Sequence, residues 1–168
     1  MVLETNGTLS DHYDPRRKVV KLSRDVYRNT SIASISVAAH ECGHAIQDKV
    51  GYAPLKIRNM LVPVVNFTAS VGYVFILIAF LLEVFDLLAY GVGFSLFGML
   101  FQLITLPVEF NASKRACEEL EMLGYAKEDE ITGVTSVLNA AAFTYVAAAL
   151  ANFLQLLRYV LIFVNRRD

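Results

Sequence analysis

Only two cysteines occur among the 168 residues, so no disulfide framework can stabilise this chain. It also lacks an excess of charge of either sign. Fifteen lysines and arginines stand against sixteen aspartates and glutamates, a net charge of −1, which removes the basic signature of a nucleic-acid binder. No apolar h-region follows Met1, so no secretory signal peptide is expected. The sequons at Asn6, Asn29, Asn66 and Asn111 carry no weight, because such triplets arise by chance and Asn66 falls in an expected membrane segment. Charged residues make up only 18% of the chain and hydrophobic ones 55%, which is too apolar for an ordinary soluble domain.

Histidine is scarce too, with three in all, and two of them stand in one pattern: His40-Glu41-Cys42-Gly43-His44. On an α-helix, positions i and i+4 share a face, so both imidazoles can point at one metal ion. That pair suits Zn²⁺. Glu41, next to the first ligand, is placed to take a proton from a metal-activated water without binding the metal, and is the candidate general base. Cys42 lies about 200° round the helix from His40; it and Cys117 read as small buried helix residues. The context is helical: Thr30 or Ser31 is a candidate N-cap, Ser31 to Val50 has no proline, and Gly51 is a plausible stop. Ile32, Ile35, Ala38, Ala39 and Ile46 supply an apolar face. A surface helix with two incidental histidines would not require this placement.

Along the chain, residues 1–17 are polar and turn-like, and Lys18 to Leu22 reads as a short strand. Gly51 to Arg58 reads as a connector containing Pro54. Leu61 to Leu82 is almost free of charge and long enough to span about 30 Å of hydrocarbon. An acidic break, Glu83 to Asp86, precedes a second apolar run from Leu87 to Leu106 that ends at Pro107. So short a break predicts an antiparallel transmembrane hairpin, with Gly91, Gly93 and Gly98 allowing close helix contact. A polar island from Glu109 to Thr132 should be helical to about Leu123 and turn at Gly124. Val134 to Val164 is one long apolar helix or two shorter ones. Its Asn139, Asn152, Gln155 and Arg158 disfavour a lipid-exposed span, so part of it is expected to pack over the motif helix.

The fold class expected is therefore mainly α: a membrane-embedded helical domain with a transmembrane hairpin and a short N-terminal strand. One domain, 1–168, would comprise the strand and motif helix (1–59), the hairpin (60–107), a polar helix (108–132) and C-terminal apolar helices (133–168). Both outer ends of the hairpin return to one side. Arg16, Arg17, Lys18, Lys21, Arg24, Arg28, Lys49, Lys56, Arg58, Lys114, Arg115 and Lys127 cluster there, whereas the tip has only Glu83 and Asp86. The excess of lysine and arginine puts the motif on the cytoplasmic side. Arg166 and Arg167 argue against a third full span, unless that rule is weak there.

A catalytic zinc takes three protein ligands and keeps an open position. His12 is a candidate third ligand but sits in a turn-like segment. Glu109, just after the second span, is the better one, because the hairpin can return it to the motif helix. Glu118, Glu119 and Glu121 read as a solvated helix face.

The segments DHYDPRRKVVKLS, VAAHECGHAIQ, LVPVVN, LPVEFNASKRA and VLNAAAFTYVAAAL together resemble the YugP-like neutral zinc metallopeptidases of bacterial membranes. The resemblance covers nearly the whole chain. It implies a zinc-dependent endopeptidase of the gluzincin type in the bacterial cell membrane, with His40, His44 and Glu109 as ligands and Glu41 as base. Its substrates would be peptides or proteins, membrane proteins among them; oligomeric state stays open. The EFNAS segment is also similar to an element of HtpX-like and CAAX-prenyl membrane proteases, in which the position of Ser113 is typically an aspartate that orients a ligand histidine. Asn111 stands where aspartate is expected in the YugP-like family. Members usually begin with a membrane helix and a longer polar segment, so this chain is expected to be short at its N-terminus.

On this reading the reaction is peptide-bond hydrolysis. The Lys18–Leu22 strand is expected to hold substrate as an added β-strand or to be an ordinary structural strand. His12, Arg115 and Tyr145 are chemically able to stabilise an oxyanion. A site-2-type intramembrane protease would need a distant aspartate motif in a later membrane helix, and no aspartate lies between Asp86 and Asp129 or in the last apolar stretch. A non-catalytic or truncated zinc-binding module with a scaffold or chaperone-like role is the other alternative; the intact Glu41 argues against it.

Overall fold

A computed structural model describes residues 1–165, with the backbone alone for 128 and 129. Three short strands and five helices follow in order: β1 (Val2–Thr5), β2 (His12–Asp14), β3 (Val19–Ser23), α1 (Arg24–Arg28), α2 (Ile32–Lys49), α3 (Ala53–Leu81), α4 (Asp86–Met122) and α5 (Glu128–Asn165). The architecture is mainly helical, as expected. Residues 1–56 with 107–144 form one compact unit, and residues 57–106 with the described residues from 145 onward a second.

In the first unit the expected strand is β3, and two further strands come from the stretch expected to be turn-like. The sheet order is β1-β3-β2, with β1 parallel and β2 antiparallel to β3. β3 is thus central. Val19, Val20 and Leu22 are buried on it, and both its edges are already paired. It cannot accept a substrate peptide as an added strand, because the N–H and C=O groups such a peptide needs are spent on β1 and β2. The period-2 pattern shows that a strand exists but not who its neighbours are.

The motif helix α2 has the expected boundaries. Ser31 caps it, its Oγ accepting from Ser34 N–H at 3.2 Å. Gly51, at φ +71°, takes the left-handed conformation that ends it. The expected connector is shorter than read, because α3 starts at Ala53 and Pro54 sits in its first turn, where a missing N–H costs nothing. Ala116, Leu120, Val134 and Leu138 form a core against which Ile35 and Ala39 of α2 pack. The N-terminal part of α5 therefore does pack on the motif helix. Cys42 is exposed rather than buried, and Cys117 is half-buried.

In the second unit, α3 and α4 pair as a hairpin. They pack tightly at Gly72 and Gly91: a Cβ on Gly91 would lie 2.4 Å from Ile76 Cγ1, and one on Gly72 2.8 Å from Phe94 Cβ. Of the three glycines expected to allow this approach, only Gly91 does; Gly93 and Gly98 face open space. Helix α4 runs on through Pro107 to Met122 instead of ending there. An interior proline removes one backbone hydrogen bond, a loss that long apolar helices tolerate. A turn at Gly124, φ +67°, follows. Three helices are long and apolar enough to cross a membrane, and α5 is one of them. Arg166 and Arg167, read as arguing against a third span, lie outside the described residues.

Candidate metal centre

Helix α2 turns His40 and His44 onto one face, and α4 brings Glu109 to meet them. Glu109 Oε2 lies 3.1 Å from His40 Nε2 and 3.6 Å from His44 Nε2. The donor atoms of the three residues all lie within 4.8 Å of one another. Glu109 is 1% exposed and His44 7%. The helices approach this closely because residue 43 is glycine: a Cβ there would sit 2.4 Å from the carbonyl oxygen of Ala112.

Each imidazole is held from behind. His40 Nδ1 is 3.1 Å from Ser113 Oγ, and His44 Nδ1 is 3.0 Å from Gln47 Oε1. Gln47 Nε2 donates to the Val108 carbonyl at 2.8 Å and to Asn111 Oδ1 at 3.0 Å. Asn111 Oδ1 in turn accepts from Arg115 Nε at 2.8 Å. With both ring Nδ1 atoms engaged, the Nε2 atoms converge on Glu109. Two imidazole nitrogens and a carboxylate oxygen, nearly enclosed and oriented from behind, fit the donor set of a catalytic zinc.

Glu41 is beside this cluster but is not one of the converging donors. Burial pushes its carboxyl above the usual range and the Glu109 charge adds to that; His44, His40 and the main-chain N–H of Tyr13 oppose the rise without cancelling it. For His44, burial works against the protonated ring, but the nearby Glu109 carboxylate, with the charge of Glu41, outweighs this and raises its pKa. Tyr13 belongs to β2 and also ties that strand to α2, its hydroxyl donating to Asp48 Oδ2 at 2.7 Å. Burial, then the Asp48 hydrogen bond and charge, push the phenol up to about 12.

The other sequence candidates fall elsewhere. His12 is exposed on β2, its Nδ1 2.7 Å from the Ser10 carbonyl. Arg115 is engaged with Asn111. Tyr145 belongs to the second unit. Glu118 lies at the surface, 3.7 Å from Lys114. Sequence reasoning missed Gln47, whose signal is its place three residues after His44 on the same helix face. It also missed the Tyr13 amide, which no side-chain motif can announce.

The model of a family described as "Putative neutral zinc metallopeptidase" matches residues 1–164. The "Putative membrane protease YugP" of Bacillus subtilis (strain 168) is 50% identical over 162 residues, which is 96% of this chain and 72% of that protein. No solved structure matches.

Proposed function

The chain belongs to the neutral zinc metallopeptidase family, and from that premise we propose that it is a membrane endopeptidase whose centre is built from His40, His44, Glu109 and Glu41. The observation that carries the reading is the convergence of two Nε2 atoms and one carboxylate oxygen beside a second carboxylate outside the cluster.

His40, His44 and Glu109 would hold the ion, leaving a position open for substrate. A zinc ion there supplies a Lewis acid that polarises the scissile carbonyl and acidifies water. Glu41 takes the proton from the attacking water and passes it to the leaving amine. The Tyr13 N–H holds the Glu41 carboxylate in place. Since β3 is paired on both sides, an extended peptide could pair only with an edge strand, β1 or β2. The lysine and arginine excess on the motif's side of the hairpin supports a centre that faces the cytoplasm.

Zinc content and peptidase activity of the detergent-purified chain test this together. The expected result is one zinc per chain, kept by Glu41→Gln with activity reduced roughly 10²–10⁴-fold, and lost by Glu109→Ala. A chain that binds no zinc, or a Glu41→Gln variant as active as its parent, would refute the reading.

A further inference from the structure

We propose that Gln47 is the positioning residue of this centre: its amide fixes the tautomer and ring orientation of His44 and couples that ring to the helix carrying Glu109. The proposal rests on the zinc reading above and adds to it a residue that touches neither metal nor substrate.

The amide has no freedom left. Gln47 is fully buried at 0% exposure, and both of its amide hydrogens and its amide oxygen are engaged. The Val108 carbonyl can only accept, so the group facing it at 2.8 Å is the amide nitrogen. The oxygen must then face His44, at 3.0 Å. An amide oxygen also only accepts, so His44 Nδ1 carries the proton and donates it. With Nδ1 protonated, the neutral ring can present the Nε2 lone pair to an ion shared with Glu109, the form a metal ligand needs. Asn111 Oδ1 takes the second amide hydrogen, and Arg115 holds Asn111 in turn.

This differs from the support of His40. A serine hydroxyl can donate or accept, so Ser113 steadies that ring without dictating which nitrogen is protonated. Gln47 also reaches across helices. Val108 immediately precedes Glu109, so the group that orients one ligand grips the backbone beside another. The Gln47–Val108 bond thus ties α2 to α4 at the level of the ligands.

The test uses the full chain in detergent, with zinc affinity read by competition with a chromophoric chelator and ligand geometry by the absorption spectrum of the Co²⁺-loaded protein. Gln47→Leu is expected to weaken zinc binding roughly 10–100-fold and to alter the Co²⁺ spectrum. Asn111→Ala removes one anchor of the amide and should weaken binding less than about tenfold. That effect should vanish in the Gln47→Leu background, because Asn111 acts through Gln47. Should Gln47→Leu fail to fold, Asn111→Ala carries the test by its own affinity and spectrum. Variants with wild-type affinity and spectrum, or with losses that add and leave the spectrum unchanged, overturn the role of Gln47 while the zinc reading stands. Wild-type protein without zinc overturns both.

Discussion

Replacing Gly43 by alanine should separate the two halves of the metal centre. The added Cβ would lie 2.4 Å from the Ala112 oxygen, 3.1 Å from its carbonyl carbon and 3.2 Å from its Cα. These are backbone atoms, so no side chain can swing aside. Restoring ordinary contact means moving α2 and α4 apart by about 1 Å at the crossing. Residue 43 is the neighbour of His44, and Ala112 lies within one turn of Glu109, so the displacement falls on the ligands themselves. Zinc–ligand distances lie within about 0.2 Å of their standard values. Overpacking of this kind costs roughly 1–3 kcal/mol. If the centre bears that cost, zinc binding weakens by about 10–100-fold, at about 1.4 kcal/mol per factor of ten. Chelator competition on the detergent-solubilised protein measures this, with helix content by circular dichroism as the check on folding. Gly93→Ala is the control, because its Cβ would meet nothing within 4 Å. A folded Gly43→Ala variant with wild-type zinc affinity would refute the argument that this close crossing sets the ligand geometry.

Further expectations follow from other contacts. Ser113→Ala removes the group behind His40 Nδ1 and should weaken zinc binding roughly 10–100-fold; titration against the same chelator decides it. Tyr13→Phe should remove an alkaline dependence of stability. The neutral phenol is the form bound to Asp48, so its contribution is whole below pH 10.0 and is lost as pH rises toward about 12. Thermal melts of the parent over that interval should fall more steeply than those of the variant; parallel curves would contradict the Tyr13–Asp48 link. Gly91→Ala should destabilise the α3–α4 hairpin by about 1–3 kcal/mol, since its Cβ would meet Ile76 and the Gly72 carbonyl, whereas Gly98→Ala should not. Denaturation midpoints of the two variants would separate them.

Much of this molecule is legible from local signals. The HECGH spacing needs only the helical period to put two imidazoles and a glutamate in one place. The N-cap at Ser31 and the stop at Gly51 are matters of local hydrogen bonding and backbone conformation, and the structure has both. The apolar runs mark helices of membrane-crossing length because hydrophobicity sums along a segment. What failed was non-local. Proline usually breaks helices, but α4 continues through Pro107. The strand at 19–23 was visible as a pattern, while its two partners were hidden in a stretch of turn-forming residues. Two of three hairpin glycines read as contact points face open space.

The sequence by itself determined the chemistry on offer: a histidine pair with an adjacent glutamate on one helix, and apolar segments long enough for a bilayer. Only the tertiary structure decided which glutamate meets the histidines, that Gln47 and not a motif residue holds His44, and that β3 is closed on both sides. The reason is physical. Residues four apart on a helix are neighbours whatever the rest of the chain does. His40 and Glu109 are neighbours only because a glycine at 43 lets two helices touch backbone to backbone at Ala112.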